Sequence, residues 1–333
     1  MTERVAVLGD GGWGTALAMV LADHGADVAL WSHDAEYAAE MEQSRKNPRF
    51  LPGIELPASV HVTADLAASV SECDIIFSVV PTQFLIAVHT ELKSHYAGQA
   101  IVSATKGIDT ETLRRPTEMI RDAIGQEVAT IVVSGPSHAE EVSRRMPTTV
   151  VAASTDMGLA RRVQDLLATD RFRVYTHNDA VGVELGGALK NVVSIAGGIV
   201  DGLGFGDNTK AALLTRGIVE MSRLGEAMGG LRSTFFGLSG IGDLITSCTS
   251  EHGRNRLVGW RLGRGEKLDD ILASMQQVAE GVRTAKSVKD LSAKRAVEMP
   301  ICNEVFNVLF EGKDPGMAVR DLMTRQLKDE LEW

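Results

Sequence analysis

Among the 333 residues, a lysine in an apolar setting has the clearest chemistry. Between Gly182 and Val200 the chain carries only two charges, Glu184 and Lys190, set among Val, Leu, Ile, Ala and five glycines. In a helix, Gly186, Gly187, Val193 and Ser194 lie one turn either side of Lys190, so its amine is expected to stand away from bulk water. Desolvation favours the neutral amine, and a lysine tuned that way exchanges a proton with a substrate oxygen. A lysine that snorkels to the surface is the bland alternative, and the apolar segment favours it less. Two later stretches add polar groups. Asp243 stands in Gly237-Leu-Ser-Gly-Ile-Gly-Asp-Leu, which reads as a loop whose small residues allow its carboxylate to be aimed at a hydroxyl. Arg254 and Asn255, in Ser250-Glu-His-Gly-Arg-Asn-Arg, offer a guanidinium fork and an amide, which suit a phosphate. Taken alone, Arg254 and Arg256 read better as a solvated helix start.

These groups need a scaffold, and its first element is legible at the N-terminus. Val5 to Leu8 is a short apolar run that ends at Gly9, and Gly9, Gly11 and Gly14 fall in G-x-G-x-x-G spacing before Thr15-Ala-Leu-Ala-Met-Val-Leu-Ala. Strand, glycine turn and helix in that order predict a dinucleotide cradle, with the pyrophosphate at the helix N-terminus. Asp27 to Trp31 is the second strand. His33 and Asp34 stand at its tip, where an acid would take the ribose hydroxyls of NAD and a cation the extra phosphate of NADP. Asp34 also reads as the N-cap of a helix over 35–42. Asn47-Pro-Arg-Phe-Leu-Pro-Gly reads as a loop in which Phe50 covers either the cofactor or the core.

Further buried strands are expected over 74–80, 101–105, 128–133, 149–154 and 172–175, with a helix over 159–168. Lys106, just past the strand starting at Ile101, is placed to meet a phosphate or carbonyl oxygen. Ser137 and Glu140 could form a capping box, or the N–H groups they would cap could hold a ligand oxygen. After residue 180 the periodicity is helical, with no further run of parallel-strand type. The reading is an α/β chain: an N-terminal Rossmann-type doubly wound parallel sheet over 1–180, binding NAD(P), and an all-helical substrate or catalytic domain over 181–333.

Composition narrows the class. A hydrophobic content of 44% with 23% charged residues is that of a globular enzyme, and a net charge of −10 argues against nucleic acid as the main partner. The acidic excess falls in the first half, so an anionic substrate would need local cations from the second. Cys73, Cys248 and Cys302 form no C-x-x-C pair and read as buried thiols in a reducing compartment. The eight histidines do not cluster, so no metal is expected. The chain passes from Met-Thr-Glu-Arg straight into a strand, which points to the cytoplasm, without stable membrane insertion. A homodimer is the expected assembly.

The blocks Gly9-Asp-Gly-Gly-Trp-Gly-Thr-Ala-Leu-Ala, Val79-Val-Pro-Thr, Ala104-Thr-Lys-Gly-Ile, Ser134-Gly-Pro-Ser, Glu184-Leu-Gly-Gly-Ala-Leu-Lys-Asn-Val, Thr215-Arg-Gly, Gly240-Ile-Gly-Asp-Leu, Gly253-Arg-Asn-Arg and Val278-Ala-Glu-Gly are spread along nearly the whole chain. Together they resemble the bacterial type of NAD(P)-dependent glycerol-3-phosphate dehydrogenase. The resemblance implies reversible reduction of dihydroxyacetone phosphate, a small phosphorylated substrate, to sn-glycerol 3-phosphate, feeding glycerophospholipid synthesis. It implies Lys190 as the general acid and, in reverse, the base. Lys106 and Asp243 would orient substrate oxygens with Asn191 nearby. Gly253, Arg254 and Asn255 would hold the phosphate, and Gly135 and Ser137 would complete the pocket. Gly9, Gly11, Gly12, Trp13, Gly14, His33, Phe50, Lys106, Ala139, Arg254, Val278 and Glu280 would line the cofactor, NADP or NAD with NADPH favoured. Two positions depart from the family pattern: Gly12 stands where a serine is usual, and His33 where arginine is frequent.

Overall fold

The first strand is apolar at every inward position, and successive side chains of a strand point to opposite faces. In a computed structural model, which describes residues 2–327 and 329–330, Arg4–Leu8 forms β1. Val5 and Val7 enter one buried cluster while Ala6 and Leu8 enter another. Both faces of the sheet are therefore covered, the condition under which parallel strands are stable. The later strands are β2 (Asp27–Trp31), β3 (Lys46–Asn47), β4 (Leu51–Glu55), β5 (Val60–Thr63), β6 (Ile75–Ser78), β7 (Ala100–Ser103), β8 (Thr130–Ser134), β9 (Thr148–Ala153) and β10 (Phe172–His177).

Eight strands form one sheet in the order β10-β9-β8-β7-β6-β1-β2-β5. The order reverses at β1: the chain first builds outward through β2 and β5, then returns to lay β6 on the other side. Loops leaving β1 and β6 thus part in opposite directions, the crevice where open α/β sheets take ligands. The doubly wound sheet is present with one departure. β9 pairs antiparallel with β8, and β10 runs parallel to β9. Two further details differ from the sequence reading. The Pro-Gly stretch expected as a loop contributes the antiparallel pair β3–β4, and β5 forms an edge strand that no apolar run announced.

The chain divides into two compact units, one of residues up to Lys106 with Arg114–Ala180, the other of Gly107–Leu113 with the residues from Val181 onward. The second unit is helical. Its central element is the helix Ala180–Gly202, in which every residue from Gly182 to Val200 is buried. By length and composition this helix could cross a membrane, yet its apolar stretch is wholly covered by the rest of the fold, which makes it a core helix. Around it lie Asp207–Ala227, Asp243–Thr249, Arg254–Gly263, Leu268–Ala273, Glu280–Arg295, Pro300–Phe310 and Pro315–Met323. Glycines decide how closely two of these approach. A methyl on Gly198 would strike the Arg256 carbonyl, and one on Gly259 would strike that of Ile195. The helix Arg254–Gly263 therefore packs backbone to backbone on the core helix.

Candidate active site

In the first unit the glycine turn is shaped for a bound anion. Gly9 adopts φ 113°, a left-handed conformation that side chains disfavour, and a methyl on Gly14 would collide with the Gly9 carbonyl. Gly11 faces open space, with nothing within 4 Å of a Cβ built there, so a ligand can approach its backbone. The helix Gly12–His24 begins at that point without a side-chain cap, leaving its first-turn N–H groups available. The indole N–H of Trp13 is buried with no partner among the described residues, a donor a cofactor would satisfy. Three positions expected to line the cofactor meet here. A Cβ on Gly12 would lie 2.8 Å from the Phe50 carbonyl oxygen and 3.4 Å from the Ala139 methyl. These features fit a dinucleotide.

The turn is braced by a buried network that the sequence did not announce. Asn47 donates to the Asp10 carbonyl and to Thr15 Oγ1, both at 2.7 Å, and accepts from the Tyr37 hydroxyl at 2.7 Å. Ser32 donates to the Asp10 carboxylate at 2.8 Å. Burial pushes the Asp10 carboxyl above its ordinary range, and the Ser32 bond opposes that shift. At the tip of β2, His33 is exposed. Asp34 caps the helix Ala35–Ser44 through Tyr37 N–H at 3.0 Å, the alternative role expected of it. Lys106 follows β7 and donates to the Gly135 carbonyl at 2.9 Å, with Ser137 Oγ at 3.4 Å. The capping box at Ser137 does not form: the helix Ala139–Val142 starts at His138, and Ser137 donates to the Gly135 carbonyl at 3.0 Å instead.

In the second unit the polar groups converge on the core helix. Lys190 is 7% exposed, and its ammonium donates to Asp243 Oδ1 at 2.8 Å and to Ser247 Oγ. A buried charge persists only when compensated, and the carboxylate supplies that compensation. Asp243 is not in a loop as expected. It opens the helix Asp243–Thr249, reached through a π-helical turn over Leu238–Gly242. A Cβ on Gly186 would stand 2.8 Å from the Ser239 carbonyl oxygen, so that turn lies directly on the core helix. Ser247, one helical turn after Asp243, joins the site with no signal in the sequence beyond its i+4 spacing from that aspartate.

Asn191 receives a hydrogen bond from Asn255 Nδ2 at 2.8 Å, and Asn255 Oδ1 accepts from Gly281 N–H at 2.9 Å. The starts of the helices Arg254–Gly263 and Glu280–Arg295 are thereby tied to Asn191, bringing Arg254 and Asn255 into one neighbourhood with Glu280 and the preceding Val278. Gly253 is the N-cap of Arg254–Gly263 and provides no capping side chain. A methyl there would sit 2.8 Å from the Ser247 carbonyl, which locks this helix start against Asp243–Thr249. Lys190, Asn191, Asp243, Gly253 and Asn255 thus form one connected cluster, with exposed Arg254 at its edge. All three cysteines are free and buried. Burial pushes the Cys73 and Cys248 thiols up to about 11, which leaves both as thiols at neutral pH.

Two family models cover most of the chain: the NAD-dependent glycerol-3-phosphate dehydrogenase N-terminus over residues 4–160 and its C-terminus over 179–320. A glycerol-3-phosphate dehydrogenase [NAD(P)+] of Geobacillus kaustophilus is 49% identical over 99% of this chain and 97% of its own length. One of Geobacter sulfurreducens is 49% identical over 99% of each. The crystal structure of a glycerol-3-phosphate dehydrogenase from Coxiella burnetii superposes with a TM-score of 0.94 at 40% identity, over 97% of this chain and 99% of that one. On the sequence blocks, the fold and these full-length likenesses together, the chain belongs to the NAD-dependent glycerol-3-phosphate dehydrogenase family.

Proposed function

We propose that the chain reversibly reduces dihydroxyacetone phosphate to sn-glycerol 3-phosphate with NADPH or NADH. The observation that carries this reading is the buried Lys190 ammonium held by Asp243 at 2.8 Å. The first unit binds the nucleotide, and the second supplies the proton and holds the substrate. Gly9, Gly11, Gly12, Trp13 and Gly14 hold the dinucleotide with His33, Phe50, Lys106, Ala139, Arg254, Val278 and Glu280. Bound there, the nicotinamide supplies the hydride.

The chain's own residues do the rest. Lys190 gives its Nζ proton to the carbonyl oxygen of the substrate and takes one from the hydroxyl in the reverse direction. Asp243, braced by Ser247, fixes the amine's direction and carries the compensating charge. Lys106 and Asn191 orient the substrate oxygens. Arg254 and Asn255 grip the phosphate at the uncapped helix start behind Gly253, where backbone N–H groups and a guanidinium both favour an anion. Gly135 and Ser137 complete the pocket. The product suits glycerophospholipid synthesis in the cytoplasm, and we assign the chain a homodimeric state, with no nucleic-acid partner and no stable membrane insertion.

The test is oxidation of NADPH, then of NADH, when dihydroxyacetone phosphate is added to purified protein. Lys190→Ala is expected to lower kcat by about 100- to 10,000-fold, the usual worth of a general acid, while nucleotide affinity measured by fluorescence titration stays near the parent value. Near-normal kcat in that variant removes Lys190 from the mechanism.

A further inference from the structure

A free acid at the tip of the second strand would accept both adenosine ribose hydroxyls, the arrangement that favours NAD. Asp34 is not free to do so. One carboxylate oxygen accepts Tyr37 N–H at 3.0 Å and the other accepts from Arg49 Nη1 at 2.8 Å. These contacts hold its carboxyl below the usual carboxylate range, so it is a fixed anion whose charge is already answered.

Arg49 is the other half of that arrangement. Its guanidinium carbon stands 3.9 Å from the centroid of the Tyr37 ring, and its backbone N–H donates to the Tyr37 hydroxyl at 3.0 Å. Tyr37 is itself fully buried and bonded to Asn47, the residue that braces the glycine turn. A continuous chain of hydrogen bonds thus runs from the phosphate cradle to Arg49. The arginine side chain is nevertheless 52% exposed, and only Nη1 is engaged among the described residues, which leaves Nε and Nη2 for an incoming anion. His33, beside Asp34, is exposed on the same tip.

We infer that Arg49, steered by Asp34 and stacked on Tyr37, binds the 2′-phosphate of NADPH together with His33, and that this pair sets a preference for NADPH over NADH. Asp34 and Tyr37 are positioning residues in this arrangement. The inference rests on the glycine turn being the cofactor cradle.

The experiment compares 2′,5′-ADP with 5′-AMP as competitors of NADPH, since the two differ only in the 2′-phosphate. In the parent protein 2′,5′-ADP is expected to bind about 10- to 100-fold more tightly, the range of charge-assisted hydrogen bonds to one phosphate. Arg49→Ala should collapse that ratio by about tenfold or more, and Arg49→Lys should restore part of it, since a point charge replaces the fork. An unchanged ratio in Arg49→Ala overturns the inference. So does an equal weakening of both fragments, which would mark Arg49 as structural support alone. If neither fragment competes with NADPH in the parent, the cradle reading falls and the inference falls with it.

Discussion

At the scale of single residues, Lys190 shows how function and stability oppose each other. The side chains of Lys190 and Asp243 are 9% and 3% exposed, so the pair has been taken almost wholly out of water. Removing one member of such a pair leaves an uncompensated buried charge, whereas replacing both by apolar groups is frequently neutral. Asp243→Ala is therefore expected to lower unfolding free energy by about 3–5 kcal/mol. Adding Lys190→Met to that variant should recover most of the loss while leaving no catalysis. Urea unfolding of the parent, both single variants and the double variant measures the coupling; simple additivity of the two changes would mean that the ion pair does not exist in solution. The apolar stretch around Lys190 announced the burial, but Asp243 as its partner was not legible from that stretch. The two residues are 53 positions apart, and the close approach at Gly186 sets the intervening turn on the core helix.

At the scale of elements, long apolar runs were legible and direction was not. β1, β6 and β8 are apolar because both of their faces are covered, and that pattern survives in sequence. The antiparallel setting of β9 leaves no such trace, because Val150, Val151 and Ala152 would be equally apolar either way. β5 escaped because only Val60 and Val62 of its four residues face inward at an edge. The helix Asp243–Thr249 was hidden by the glycines before it, which read as a loop. Helix ends depend on partners even more distant. Pro300–Phe310 has no side-chain cap from its own N-terminus, and Glu220 of another helix accepts from Ile301 N–H at 2.8 Å and Cys302 N–H at 3.2 Å. This borrowed cap is nearly sealed from water, and burial pushes the Glu220 carboxyl up to about 7. Glu220→Ala should cost about 1–3 kcal/mol, the penalty for orphaning buried N–H groups. Circular dichroism during urea unfolding measures it, and a change below 0.5 kcal/mol, about the level of an ordinary surface substitution, would show that the cap contributes nothing.

At the scale of the whole molecule, two buried titrating groups act on stability with opposite signs. His89, in the first unit, is fully buried with Nδ1 2.8 Å from the Leu85 carbonyl, and burial lowers its pKa from 6.5 to about 4. The unfolded chain takes up the proton first as pH falls, so its contribution is complete above pH 6.5 and is lost toward pH 4. Glu220, in the second unit, has its pKa raised from 4.5 to about 7. The folded state keeps that proton longer, so its contribution is complete below pH 4.5 and is lost as pH rises to about 7. Where the two windows overlap, between pH 4.5 and 6.5, the slopes oppose each other at about 1.4 kcal/mol per pH unit each. His89→Gln should therefore leave a protein that weakens as pH rises through this interval, and Glu220→Gln one that weakens as pH falls. Unfolding free energies of both variants at half-unit steps across the interval should trace curves that diverge in opposite directions from the parent. Parallel curves would mean that neither group is desolvated as deeply as its burial indicates.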